Sequence, residues 1–82
     1  MQKVMIVGAG KRGSAILKLL LESGKFTVSW VIDSQISAEG IQLAEKLGIP
    51  TKMDWQGIDP SSVDVIIEAT KNKMVFKEIV KV

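Results

Sequence analysis

The sequence contains no cysteine, no histidine and no tyrosine. These absences exclude disulfide frameworks, thiol nucleophiles, histidine- or thiolate-bound zinc and catalytic triads that depend on histidine. Aspartate, glutamate and lysine are left as the usual proton-transfer groups. No apolar run approaches the roughly 20 residues that a membrane-spanning helix needs, and the sequence opens directly on a strand-like run with no secretory leader. We therefore expect a cytoplasmic chain without a membrane anchor.

The composition is that of a folded domain. Of the 82 residues, 46% are hydrophobic and 24% are charged, so the chain is globular and not disordered. Its length allows one domain, residues 1–82, which we expect to be a fragment of a longer protein. The net charge of +2 is modest and no helix-turn-helix pattern is evident, so we expect no direct contact with nucleic acid.

Short apolar runs alternate with segments of helical periodicity. The predicted strands cover residues 3–7, 26–32, 49–51 and 63–68. Helices are predicted over residues 14–23, over residues 37–47 with Ser37 as the capping residue, and after Asn72. Strands that are apolar throughout are typical of a parallel sheet buried on both faces. The sequence thus predicts an α/β fold, a parallel four-stranded sheet of order 3-2-1-4 with helices on both faces.

A glycine motif joins the first strand to the first helix. Residues 8–13 match G-x-G-x-x-G, and Asp33 ends the next strand 20 residues after Gly13. In such a motif Gly8 permits a tight turn, Gly10 lets a diphosphate approach the backbone, and Gly13 lets the helix pack closely on the strand. The start of the helix offers free amides and the positive end of its dipole to the phosphates. A bare turn without a ligand, or a site that has lost its ligand, would show the same glycines.

The residues around this motif favour NAD over NADP. The Asp33 carboxylate can accept hydrogen bonds from ribose hydroxyls and would repel a 2′-phosphate, and Ser34 follows where NADP-binding proteins often have arginine. Lys11 and Arg12 are either solvated charges at a helix start or phosphate contacts. Arg12 can also accommodate a 2′-phosphate, which moderates the preference for NAD.

A second group of polar residues follows the fourth predicted strand. Thr70, Lys71 and Asn72 come at the same carboxyl edge of the sheet as the glycine motif. Ligands of open α/β sheets bind at that edge, so Thr70 is a candidate contact to the nicotinamide-side ribose. Capping of the last helix by Thr70 and Asn72 is the structural alternative.

The runs 4–13 and 31–33 resemble the start of an NAD(P)-binding Rossmann domain. Residues 40–51 and 65–70 are similar to the amino-terminal halves of dihydrodipicolinate reductase, acylating acetaldehyde dehydrogenase and the glucose-fructose oxidoreductase family. They are more similar still to the Rossmann modules that precede PAS and ATPase domains in bacterial sigma-N-dependent transcriptional activators. Lys71 departs from the pattern, because many relatives have glycine there. The resemblance implies a Rossmann-like half-fold that binds a nicotinamide dinucleotide.

The sequence and its resemblance are compatible with three functions. The first is an NAD- or NADH-binding module, the sensory part of a larger bacterial signalling or transcription-regulating protein, with no catalysis by this chain. The alternative is the cofactor-binding half of an NAD(P)-dependent oxidoreductase whose catalytic domain is absent. A dimerisation scaffold with a degenerate site is the third. Because residues 63–68 form an apolar edge strand, we also expect a homodimer or packing on a missing carboxyl-terminal domain.

Overall fold

A computed structural model describes residues 1–69. Its elements are β1 (Gln2–Val7), α1 (Lys11–Ser23), β2 (Phe26–Ile32), α2 (Glu39–Lys46), β3 (Thr51–Lys52), a 3-10 turn (Pro60–Ser62) and β4 (Val65–Glu68). The helix predicted after Asn72 lies outside the described residues. Within the described part of the chain, no helix is long and apolar enough to cross a membrane.

The four strands form one parallel sheet in the order β3-β2-β1-β4. This confirms the predicted α/β half-fold and its strand order. The pairing of β1 with β2 shifts by one residue after Val4. Val4 lies opposite Val28, but the next residue, Met5, lies opposite Trp30. Ser29 is therefore an extra residue, a bulge that turns the following side chains of β2 to the other face of the sheet.

The two described helices pack on the same face of the sheet. Their buried side chains, Leu17 of α1 and Ile41 and Ala44 of α2, join the apolar side chains of that face, Val4, Ile6, Val28 and Val31. On the opposite face Met5, Val7 and Ile32 are buried under the connection between β3 and β4, with Trp30, Trp55, Ile58, Val63 and Ile66 packed around them. The expectation of helices on both faces is thus seen for one face only, because the last predicted helix falls on residues beyond 69.

The predicted cap of α2 is wrong. The helix begins at Glu39 rather than after Ser37, and its capping residue, Ala38, makes no side-chain hydrogen bond. The Gly40 amide in the first turn donates instead to the Ala9 carbonyl, 2.6 Å away. A carbonyl from a distant loop thus satisfies a helix donor that a serine would otherwise have satisfied.

Other boundaries differ from the prediction by one to three residues. Helix α1 begins three residues early, at Lys11, so the glycine motif itself forms its first turn. Strand β3 is displaced to Thr51–Lys52, because Pro50 has no amide to donate, although its carbonyl accepts from the Val31 amide at 3.1 Å. Strand β4 begins at Val65 rather than at residue 63.

The 3-10 turn before β4 is capped by a carboxylate. Asp59 Oδ1 accepts a hydrogen bond from the Ser61 amide at 2.9 Å. This hydrogen bond lowers the pKa of the Asp59 carboxyl below its ordinary value, because it stabilises the charged form. The cap thus orders the turn that leads from this connection into β4.

Candidate functional site

The glycine motif lies where β1 ends and α1 begins, at the carboxyl edge of the sheet. Gly8 is buried, and its φ of 101° is a backbone conformation that side-chain-bearing residues rarely adopt. Its amide donates to the Ile32 carbonyl of β2 at 2.7 Å. The chain therefore leaves β1 through a turn that is tied to the neighbouring strand.

The other two glycines of the motif differ in their surroundings. A Cβ on Gly13 would lie 1.8 Å from the Gly8 carbonyl oxygen, so α1 can approach β1 this closely only with glycine there. A Cβ on Gly10 would meet no atom within 4 Å among the described residues. Gly10 is exposed and has a φ of −75°, which any residue can adopt. The fold of residues 1–69 thus requires glycine at position 13 and not at position 10.

Among residues 1–69, the first three amides of α1 have no hydrogen-bond partner. Gly10 is the capping residue, and the first helical hydrogen bond runs from the Ser14 amide to the Gly10 carbonyl at 2.8 Å. The amides of residues 11–13 precede this ladder. No acidic residue stands in the first turn, and Lys11 and Arg12 are exposed there. The positive helix end and two cations form a surface that favours an anion.

The Asp33 carboxylate is directed at the glycine motif. Its Oδ2 accepts from the Ala9 amide and its Oδ1 from the Gln35 amide, each at 2.8 Å. The side chain is half-buried, whereas Ser34 beside it is exposed. Each carboxylate oxygen can accept more than one hydrogen bond, so Asp33 retains acceptor capacity for ribose hydroxyls. The structure thus brings Asp33 to the motif, as the sequence predicts.

Sequence reasoning missed two residues of this site, Ala9 and Gly40. Ala9 has 0% of its surface exposed, and its amide and carbonyl are bound by Asp33 and by Gly40, respectively. A Cβ on Gly40 would lie 2.7 Å from the Ala9 carbonyl oxygen and 2.8 Å from its Cβ. A glycine in the first turn of a predicted helix is the sequence signal that indicates such a close approach.

The predicted contact at Thr70 lies outside the described residues, so the β4 side of the site is described only as far as residue 69. There the Ala69 amide donates to the Val7 carbonyl at 2.7 Å, which places the end of β4 beside the start of the glycine motif. The roles of Thr70, Lys11, Arg12 and Ser34 in ligand binding stay predictions.

The family model described as "Dihydrodipicolinate reductase, N-terminus" matches residues 2–82. The chain belongs to this family. The expectation of a dehydrogenase-type, nicotinamide dinucleotide-binding Rossmann domain is confirmed at that level.

The curated relatives of this chain include two kinds of dehydrogenase. The chain is 35% identical over 71 residues to an acetaldehyde dehydrogenase of Mycolicibacterium paratuberculosis. It is 34% identical over 71 residues to a propanal dehydrogenase (CoA-propanoylating) of Mycobacterium bovis and to one of Mycobacterium tuberculosis. Each alignment covers 83% of this chain and 23% of the relative, so the chain spans about a quarter of the curated relatives' length. These relatives favour the oxidoreductase alternative over a signalling module.

Proposed function

We propose that this chain binds NAD(H) as the amino-terminal cofactor domain of an oxidoreductase whose substrate domain lies elsewhere in the protein. The observation that carries the proposal is the open space at Gly10. Since neither φ nor packing within residues 1–69 requires glycine there, a ligand that approaches the backbone is what explains its presence.

The residues present fit a dinucleotide. The amides of residues 10–13 and the positive end of α1 would hold the diphosphate, with Lys11 and Arg12 adding positive charge. Asp33, already fixed against the motif through the Ala9 amide, would accept the hydroxyls of the adenosine ribose. When bound, the nicotinamide supplies hydride transfer, and this chain's residues bind and orient the cofactor.

Asp33 also supports NAD over NADP. Its charge would lie next to a 2′-phosphate, and two like charges at close range repel. Ser34 is exposed and offers no positive charge to offset that repulsion. Arg12 can also accommodate a 2′-phosphate, but we assign it, with Lys11, to the diphosphate.

We assign only cofactor binding to this chain, because the substrates named for the similar proteins differ. The family model is named for a reductase of dihydrodipicolinate, and the relatives are named for acetaldehyde and propanal. All of these names describe enzymes that catalyse oxidation or reduction. The substrate-binding and proton-transfer groups are therefore assigned to the rest of the protein.

Calorimetric titration with NAD, NADH, NADP and S-adenosylmethionine tests the proposal. We expect NAD or NADH to bind more tightly than NADP, and S-adenosylmethionine not to bind. Gly10→Ala should weaken dinucleotide binding at least tenfold, because the alanine Cβ would occupy space that the diphosphate needs. The same variant should change the free energy of unfolding by no more than about 1 kcal/mol.

Gly24→Ala is the matched control at the other end of α1. Its φ of 68° makes alanine strained there, so this variant loses stability but keeps the motif intact. Equal dinucleotide binding by the parent chain and the Gly10→Ala variant would contradict the proposal, as would no binding by the parent.

A further inference from the structure

Helix α2 is hydrogen-bonded to one peptide unit of the glycine motif, the one that joins Ala9 to Gly10. The Gly40 amide, in the first turn of α2, donates to the Ala9 carbonyl at 2.6 Å. Gly40 and Ala9 are both buried, and the helix start uses no side-chain cap. The contact therefore serves both partners: it satisfies a donor of α2 and it fixes the direction of a carbonyl in the motif.

That carbonyl belongs to the same peptide unit as the Gly10 amide. The described chain contains no cis peptide bond, and a trans peptide points its carbonyl and its amide hydrogen in opposite directions. With the Ala9 carbonyl directed at α2, the Gly10 amide is directed away from α2. A carbonyl that accepts a hydrogen bond also polarises the amide of its own peptide and makes it a better donor.

The preceding peptide unit is fixed in the same way. Its amide, that of Ala9, donates to Asp33 Oδ2 at 2.8 Å. Two consecutive peptides of the motif are thus oriented by distant parts of the chain before any ligand arrives. Without the Gly40 contact, nothing else among residues 1–69 bonds the Ala9 carbonyl, and glycine at position 10 leaves that peptide free to rotate.

We propose that Gly40 is a positioning residue for dinucleotide binding: its amide and its missing Cβ hold the Ala9–Gly10 peptide with the Gly10 amide directed at the diphosphate. This inference rests on the proposed function. The affinity then depends on α2 through its contact with Ala9. A Cβ at position 40 would push against Ala9 at 2.7–2.8 Å, so α2 and the motif could no longer keep this spacing.

The test compares Gly40→Ala with Gly48→Ala, at the opposite end of α2. Gly48 has a φ of 76° and open space around its Cβ position, so alanine there strains the helix end without touching the motif. Both variants should melt at lower temperature than the parent. Only Gly40→Ala should weaken NADH binding, by about ten- to a hundredfold, the range of one hydrogen bond to a charged group.

An NMR readout separates positioning from loss of stability. In the free protein, Gly40→Ala should shift the Gly10 amide and Ala9 carbonyl resonances, and Gly48→Ala should leave both in place. If Gly40→Ala does not fold, hydrogen exchange of the Gly40 amide in the parent decides: slower exchange with NADH bound supports the inference, and unchanged exchange overturns it.

The outcomes distinguish the two proposals. If the parent binds NADH and folded Gly40→Ala binds it equally well, the positioning role is wrong and the proposed function stands. Equal losses of affinity in both glycine variants would also overturn the positioning role. If the parent binds no dinucleotide, the proposed function fails and the positioning role fails with it.

Discussion

Asp33 has two roles at the level of a single side chain. The sequence predicts it as a ribose acceptor, from its position after the second strand and its spacing from the glycine motif. The structure adds that the same carboxylate accepts the amides of Ala9 and Gln35. These contacts could not be predicted, because they depend on how a loop closes over a strand end and leave no pattern in the sequence.

We predict that Asp33→Asn is destabilising as well as damaging to binding. An asparagine has one acceptor oxygen, so either the Ala9 or the Gln35 amide would face an NH₂ group. The loss should be about 1–3 kcal/mol in free energy of unfolding by urea, and discrimination against NADP should fall because the charge is gone.

Asp64→Asn is the matched control for this substitution. Asp64 accepts one hydrogen bond, from the Lys3 amide to Oδ2 at 2.7 Å, and an asparagine can still accept it through its single oxygen. If Asp33→Asn is no more destabilising than Asp64→Asn, the orienting role of the carboxylate is wrong.

At the level of elements, local patterns predicted the strands better than the helix starts. The apolar runs of β1, β2 and β4 are visible in the sequence, and all four strands occur in the predicted order. The start of α2 depends on the Ala9 carbonyl, which lies far away along the chain, so a local rule favoured Ser37 wrongly. The bulge at Ser29 was also beyond prediction, since it shows only in how β2 pairs with β1.

The packing of α1 on β1 yields a prediction about Gly13. A Cβ there would meet backbone atoms, the Gly8 carbonyl oxygen at 1.8 Å and its carbon at 2.7 Å, which cannot move aside as a flexible side chain can. Helix α1 would have to shift, and we expect Gly13→Ala to cost about 2–4 kcal/mol in urea unfolding despite alanine's higher helix propensity. Gly10→Ala, in the same motif and without such contacts, is the comparison. Similar stabilities for the two variants would refute this account of the motif.

At the scale of the whole molecule, the two edges of the sheet differ. One edge strand, β3, has two residues and follows Pro50, which limits pairing with another strand. The other, β4, has four residues of intermediate burial and pairs with β1 on one side. Among residues 1–69 no further strand covers its outer edge. The strand order predicted from the sequence already places β4 at an edge of the sheet.

We therefore expect the chain to self-associate through β4 in a concentration-dependent way, since an apolar edge strand is a template for pairing. Sedimentation equilibrium should show dimers forming as concentration rises, and amide exchange in β4 should slow in parallel, while exchange in β3 stays unchanged as an internal control.

A longer chain that continues past residue 82 should lose this association if its added residues cover the same edge. Because the curated relatives are about four times as long as the matched part, we expect that covered state in the whole protein. A monomer at every concentration, with β4 amides exchanging at one constant rate, would show that the edge is already protected within this chain.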